Sequence, residues 1–212
     1  MKIQNDRDAL GTRMKENYEN RTRFYVPRRT YTIIRLDQKC GHTYTKNLNR
    51  PFDKGYIEDI DNAIIAMLPH IQGAVFAYTQ SDEISILLTD FATTETSAWF
   101  DNNIQKMASV SASIMTAEFN KQRFKRNTLK NLSPLWDMDN ISMAHFDSRV
   151  FSIPDRTEVM NYMIWRNLDC SRNSVSMLAQ HYFSHKELQG KSTVQMKKML
   201  ENYSQEYVIG IL

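Results

Sequence analysis

Apolar positions along the chain predict four short strands separated and followed by helices. The strand segments are rich in β-branched residues and bounded by polar residues. A four-residue connection at 80–83 predicts a hairpin between the second and third strands. The last strand is predicted in two pieces around a bend. The predicted strands cover 30–36, 74–79, 84–89, and 141–146 with 150–153.

Helical spacing of apolar residues marks the segments between and after the strands. Ile60 and Ile64 lie on one face of a helix that begins near Asp53 and ends at about Leu68. Asp155, followed three residues later by a glutamate, has the pattern of a capping box. The other predicted helices cover 6–20, 96–121, 155–165, 174–183 and 193–202, and 125–133 is predicted to be a basic polar loop.

The order of these elements is β-α-β-β-α-β followed by helices. This order is that of the ferredoxin-like, split βαβ plan, so we predict an α+β fold with additional C-terminal helices. Glycine (6) and proline (5) are scarce, and no linker or repeat interrupts the chain. We therefore predict one domain over 1–212, with a core at about 28–155 and a helical part at about 156–212.

Composition and charge narrow the class of protein. Hydrophobic residues make up 42% and charged residues 24% of the chain, which excludes a disordered tail, a collagen and a coiled-coil rod. The net charge of +3 permits a polyanionic partner without demanding one. Cys40 and Cys170 form no CxxC pair, and no apolar run reaches membrane-spanning length. We predict a cytoplasmic protein with no membrane partner.

Three acidic residues stand where predicted strands end or join. Asp37 follows the first strand, and Asp82 and Glu83 lie in the hairpin connection. In a split βαβ sheet the first and third strands are neighbours, so Asp37 and Asp82 are expected at one edge. Two adjacent carboxylates favour a hard cation such as Mg²⁺ between them. The alternative is that they are ordinary turn aspartates.

Basic residues near these acids offer partners for phosphate. Lys39 and His42 follow Asp37 closely, and Lys106 lies on the helix after the hairpin. A lysine is a usual point-charge partner of phosphate. The alternatives are a solvated lysine and a surface histidine. The basic stretch 121–131, interleaved with Phe124, suits either an RNA backbone or a solvated loop.

Four segments of the sequence resemble the tRNA-His guanylyltransferase family. IIRLDQKCGHTYTKNLNRPFD resembles the family's RxDGRxFHxFT…KPxD segment, and FAYTQSDEISILL resembles its FAYxQSDExSF hairpin. The resemblance extends over roughly 8–200 and is closer to the bacterial, archaeal and phage-type members, which act as template-dependent 3′–5′ polymerases. The other two segments are 99–119 and 144–180.

The resemblance implies a polymerase palm and an activity at the 5′ end of tRNA. ATP or GTP would activate a 5′-monophosphate, and the 3′-hydroxyl of an incoming nucleoside triphosphate would then attack the activated end. Such a reaction would use Mg²⁺, with two ions expected, and would repair or guanylylate the tRNA 5′ end. The resemblance also implies a homo-oligomer, either a dimer or a tetramer.

The same resemblance assigns roles to individual positions of this chain. Asp37, Asp82 and Glu83 match the catalytic carboxylates, and Arg50 falls where the eukaryotic enzymes have a lysine. The metal ligands would be Asp37, Asp82 and the backbone carbonyl of Gln38. The expected nucleotide-binding residues are Asp37, Gln38, Lys39, Cys40, Gly41, His42, Ser81, Asp82 and Lys106.

Two departures from the family pattern lie next to the expected metal ligands. Gln38 stands where relatives have glycine, so its side chain is expected to clash or to shift the backbone. Gly41 stands where relatives have phenylalanine, which predicts a freer loop. These departures leave open a catalytically impaired relative that binds RNA or nucleotide. A palm-type nucleotide cyclase is a further alternative.

Overall fold

Four antiparallel strands form a sheet in the computed structural model of the protein, which describes residues 4–129, 142–201 and 203. The strands are β1 (Tyr31–Gln38), β2 (Ala74–Gln80), β3 (Glu83–Leu88) and β4 (Phe146–Ile153). They lie in the order β2-β3-β1-β4, with every neighbouring pair antiparallel. The first and third strands are thus central neighbours.

Helices lie between and after the strands, and side-chain caps fix several of their first turns. The Asp53 side chain accepts a bond from the Tyr56 amide at 2.7 Å, and Asp155 accepts one from Glu158 at 3.0 Å. The α-helices are α1 (Gln4–Asn17), α2 (Gly41–Tyr44), α3 (Lys54–Met67), α4 (Ile104–Leu129), α5 (Arg156–Tyr182), α6 (His185–Leu188) and α7 (Thr193–Leu200).

Several predicted boundaries were wrong. The helix predicted at 96–121 begins only at Ile104, because Phe100 and Asp101 adopt left-handed backbone angles, and it runs on to Leu129. Residues 125–129 of the predicted basic loop are therefore helical, while 130–133 and 141 lie outside the described residues. The helices predicted at 155–165 and 174–183 are one helix, α5. Its apolar pattern breaks at Arg166, a charged residue that points inward.

The main core lies between one face of the sheet and helices α3 and α4. Ile34 and Leu36 of β1 and Ile84 of β3 are fully buried there. Burial of one such side chain stabilises the fold by roughly 1.5–3 kcal/mol. The first half of α5 packs on the opposite face, and its second half forms a separate core with α6 and α7. Among the described residues, no helix has the length and apolar character needed to span a membrane.

Candidate active site

Carboxylates from three chain segments meet at one edge of the sheet. Asp37, near the end of β1, lies opposite Glu83 of β3 and opposite Asp147 of β4. Asp82 directly precedes β3. Burial raises the pKa of Asp37, and the charges of Asp82, Asp147 and Glu83 raise it further, while Arg35 lowers it. The negative charges are thus close enough to repel one another, and a cation would relieve that repulsion.

The hairpin that carries Asp82 is tighter than the sequence predicted. Gln80 pairs with Glu83, so the turn contains Ser81 and Asp82 alone, and Ser81 takes a left-handed φ of 55°. The Asp82 carbonyl accepts a hydrogen bond from the Gln38 amide at 3.2 Å. This bond ties the turn to the end of β1. Strand pairing therefore holds Asp82 beside Asp37.

Gly41 is packed against the Asp82 side chain. Cys40 has a left-handed φ of 57°, which turns the chain after β1 back over the hairpin into α2. A β-carbon built on Gly41 would lie 1.8 Å from Asp82 Oδ2 and 2.9 Å from its Cγ. Gly41 is buried. The missing side chain thus makes room for the carboxylate.

Gln38 belongs to β1 and takes no left-handed backbone angle. The residue is 3% exposed, and its side-chain Oε1 accepts a hydrogen bond from the Tyr56 hydroxyl. Among the described residues its Nε2 has no hydrogen-bond partner. The expected backbone clash is absent because the side chain fits between the sheet and α3. The Gln38 carbonyl position therefore needs no glycine.

Glu83 has a different environment from the two aspartates. Its carboxylate pairs with the Arg35 guanidinium and lies 3.3 Å from Arg166 Nη1. Both arginines are largely buried. The Glu83 carboxylate is thus held by two guanidinium groups, and among the described ion pairs no such arrangement occurs at Asp37 or Asp82.

A cavity of about 310 Å³ opens beside the hairpin turn. Its walls come from the segment before α3, from α3 itself, from the end of β2 with Ser81, and from the middle of α5. Burial raises the pKa of the Tyr56 hydroxyl on its wall, and the charge of Asp82 raises it further. The cavity thus lies next to the acidic edge. Its lining includes Asn49, Arg50, Pro51, Phe52, Tyr56, Ile60, Gln80, Ser81, Cys170, Asn173, Ser174 and Met177.

The chemistry of the acidic edge fits a hard divalent cation. Within the described ranges no group of three or more His, Cys, Asp or Glu side chains could hold a metal ion. Mg²⁺, however, is commonly held by one or two carboxylates, with phosphate and water oxygens completing its shell. Asp37 and Asp82 provide two carboxylates, and the charge of Asp82 adds to the burial that raises the pKa of Asp37.

Comparison with known proteins identifies the family. A family model described as tRNAHis guanylyltransferase matches residues 11–154, which is more than half of the chain. The chain belongs to the tRNA-His guanylyltransferase family. The activity named for this family is that of a nucleotidyltransferase, so the predicted family and enzyme class are confirmed.

Individual relatives of the family extend this similarity. The chain is 41% identical to a bacterial tRNA(His) guanylyltransferase-like protein solved in complex with ATP, with a TM-score of 0.82 over 92% of this chain and 79% of that one. It is 42% identical to such a protein solved with GTP, with a TM-score of 0.74 over 83% and 78%. An uncharacterized protein of Acanthamoeba polyphaga mimivirus is 27% identical over 92% of this chain.

Curated relatives are longer than this chain. The chain covers 70% of the mimivirus protein. The Schizosaccharomyces pombe tRNA(His) guanylyltransferase is 26% identical over 69% of this chain, which spans 51% of that enzyme. About half of the fission-yeast enzyme therefore lies outside the region that is similar to this chain.

Among the predicted site residues of this family member, Lys106 lies apart from the acidic edge. Thr116 of α4 accepts a bond from the amide of Phe146, the residue opposite Gln38. Lys106 lies ten residues before Thr116, or about 15 Å along the helix axis. Ser111, halfway between them, already contacts Ser148, further down β4. The structure therefore does not bring Lys106 to the carboxylates.

The remaining predicted residues lie around the turn that follows β1. The Lys39 amide donates to the His145 carbonyl at 2.8 Å, which joins this turn to the approach to β4. Lys39, Cys40 and His42 are exposed, and Ser81 is exposed on the rim of the cavity. These residues are accessible to a ligand at the acidic edge.

Sequence reasoning missed four features of the site. It did not include Asp147, although Asp147 raises the pKa of Asp37. It did not include Tyr56 or the α5 wall of the cavity. The RPFD segment, which includes Arg50, was the sequence feature that could have indicated the cavity. Arg166 lies in the 144–180 segment that resembles the family, but its partner Glu83 is 83 residues away, so no local pattern pairs the two residues.

Proposed function

We propose that this chain is a Mg²⁺-dependent nucleotidyltransferase that adds nucleotides to the 5′ end of tRNA in the 3′–5′ direction. The observation that carries the proposal is the Asp37–Asp82 pair beside a cavity of about 310 Å³, in a member of a nucleotidyltransferase family. Paired carboxylates next to a nucleoside-sized cavity suit phosphoryl transfer, which depends on positioning and charge neutralisation.

The sheet would serve as a ferredoxin-like polymerase palm. Its order β2-β3-β1-β4, with α3 and α4 on one face, supports this proposal. The palm would be the core of a single domain over 1–212, at about 28–155. The helical part at about 156–212 would close the cavity through α5, whose residues line one wall.

Mg²⁺ would be held by the carboxylates of Asp37 and Asp82 and the carbonyl of Gln38, with two ions expected. The metal would supply charge neutralisation at the transferring phosphate. The cavity would take the nucleoside, with Ser81 on its rim and His42, Lys39 and Cys40 nearby. Lys106 is left out of this site because the described contacts of α4 place it further along the sheet.

Two transfers would occur at this edge. ATP or GTP would first transfer its nucleoside monophosphate to a 5′-monophosphate with release of pyrophosphate, and the 3′-hydroxyl of a second nucleotide would then attack the activated end with release of that nucleoside monophosphate. The similar bacterial proteins solved with ATP and with GTP support these nucleotides as substrates. Substrates of this kind are compatible with the predicted cytoplasmic location.

Self-association is part of the proposal. Two helices present exposed apolar residues at every fourth position, a spacing that aligns side chains along one face. A homo-oligomer would cover these stripes, and Ile164→Lys is expected to lower the mass measured by light scattering. The stripes consist of Leu10 and Met14 of α1, continued by Tyr18 in the turn directly after it, and of Met160, Ile164 and Leu168 of α5.

The test is nucleotide addition to tRNA that lacks its first nucleotide. Substrates with a 5′-monophosphate and a 5′-triphosphate are supplied with Mg²⁺ and each nucleoside triphosphate in turn. Addition that follows the complementary base is expected. Asp82→Asn should lower the rate about a hundredfold or more, because it removes a metal ligand. Asp101→Asn, an exposed aspartate in the loop before α4, is the matched control.

The alternatives make different predictions in the same assay. Nucleotide binding without addition to the triphosphorylated substrate would indicate an impaired, binding-only relative. A product formed from nucleoside triphosphate without RNA would indicate a cyclase. Either result would overturn the proposed addition to tRNA.

A further inference from the structure

Glu83 joins the sheet to helix α5 through a buried charge. The Arg166 guanidinium on α5 lies 3.3 Å from the Glu83 carboxylate, and the Arg166 side chain is 2% exposed. The same guanidinium bonds to Asp169 Oδ2 at 2.5 Å and stacks 4.0 Å from the centre of the Trp165 ring. The contacts with Glu83, Asp169 and Trp165 together fix the position of this guanidinium.

The helix continues from Arg166 directly into the cavity wall. Cys170, Asn173 and Ser174 line the cavity, between four and eight residues after Arg166. This separation corresponds to about 6–12 Å along the helix axis. On the sheet side, Glu83 directly follows the Ser81–Asp82 turn. The ion pair therefore links the two walls of the cavity.

The partners of Glu83 also argue against a role as a metal ligand. Arg35 and Arg166 both point at its carboxylate, and both are largely buried. Turning Glu83 toward a cation would leave these guanidinium groups without their shared partner in a poorly solvated environment, which is strongly unfavourable. Asp37 and Asp82 have no comparable pair of arginines among the described contacts.

We infer that Glu83 and Arg166 are positioning residues, whose ion pair sets the distance between the α5 wall of the cavity and the Ser81–Asp82 turn. This inference rests on the proposed function, and it replaces the expectation that Glu83 is a catalytic carboxylate. Loss of either side chain should weaken the binding of the nucleotide in the cavity. The metal site, which Asp37 and Asp82 would form, should keep its affinity.

The experiment compares Glu83→Gln, Arg166→Met and the double variant, with Arg156→Met as the matched control on the same helix. Arg156 is exposed at the first turn of α5. ATP affinity is measured by calorimetry, and the nucleotide KM, kcat and half-saturating Mg²⁺ concentration are measured in the tRNA assay. Melting temperatures are recorded for all variants.

Both single variants should weaken ATP binding and raise the nucleotide KM by about tenfold or more, as expected for a displaced binding wall. Half-saturating Mg²⁺ should stay unchanged. The double variant should bind ATP no more weakly than either single variant, because both changes break one interaction. Its melting temperature should exceed that of Glu83→Gln, because one largely buried arginine, Arg35, rather than two is then left without the shared carboxylate.

A metal-binding Glu83 would give a different pattern. A shift of half-saturating Mg²⁺ in Glu83→Gln but not in Arg166→Met would overturn the inference, as would unchanged ATP affinity in both variants. If Arg166→Met does not fold, Arg166→Lys, which keeps the charge but loses the forked geometry, is measured instead with the same expectation. A wild-type protein that neither binds nucleotide nor extends tRNA would overturn the proposed function itself.

Discussion

Gly41 and Asp82 occupy adjoining space at the acidic edge, so that a β-carbon on Gly41 would lie 1.8 Å from Asp82 Oδ2. The Asp82 carboxylate keeps its position because residue 41 has no side chain. Any larger residue at position 41 would have to move that carboxylate. Position 41 thus controls the geometry of the proposed metal site.

Gly41→Ala is expected to lower nucleotide addition about tenfold or more by displacing the Asp82 carboxylate. The change should add little to the defect of Asp82→Asn, because both act on the same group. Gly11→Ala is the matched control, since a β-carbon there meets nothing within 4 Å and alanine favours a helix. Equal activity of Gly41→Ala and Gly11→Ala would contradict this role.

Asp37→Asn is expected to raise the melting temperature when the metal is chelated. The substitution removes one of several clustered negative charges, and about 2–4 °C is expected for each kcal/mol relieved. Mg²⁺ should stabilise the wild-type protein but not this variant. Differential scanning fluorimetry with and without Mg²⁺ measures both effects. Equal stabilisation of the two proteins by Mg²⁺ would argue against Asp37 as a ligand.

Asp59→Ala is expected to destabilise the fold by about 3–5 kcal/mol, because two arginines lose a buried partner. The Asp59 side chain is 3% exposed and binds Arg123 and Arg126 at 2.8 Å each, which fixes α4 to α3. The neighbouring Glu58→Ala should cost less than about 1 kcal/mol, since that carboxylate is exposed. Urea unfolding measures both changes.

The ion pairs of Asp59 also reduce the number of basic side chains in the stretch 121–131 that could bind RNA. Arg123 and Arg126 belong to a helix and are paired with Asp59, so they are not solvated loop residues. Lys121 and Lys125 are exposed, although Lys121 pairs with Glu118 on the same helix at 3.0 Å, so Lys125 is the better candidate for a contact with a phosphate backbone.

Asp169→Asn is expected to destabilise the protein at neutral pH and to have no effect at sufficiently acid pH. Hydrogen bonds from Arg166, and then from Arg172, lower the pKa of Asp169. A lowered pKa gives stability that is present above the unfolded value of about 3.9 and is lost as the pH falls through the folded value. Urea unfolding of both proteins across this range measures the difference, which should close only in acid. A difference that persists in acid would contradict the ion pair as its source.

Local patterns in the sequence determined the strands, the hairpin and the capped helices, because each depends on residues that are neighbours in the chain. Asp53 and Asp155 are examples of caps that bond three residues ahead. A topological rule was enough to bring β1 beside β3, and thus Asp37 toward Asp82. Strand order needs no knowledge of side-chain packing.

Only the tertiary structure decided which side chains share the space at that edge. The fit of Gly41 against Asp82, the bond between Tyr56 and Gln38, and the pairing of Arg166 with Glu83 join residues from separate elements. The cavity likewise combines four segments of the chain. Local periodicity carries no information on such contacts, because they depend on how the helices pack against the sheet in the folded protein.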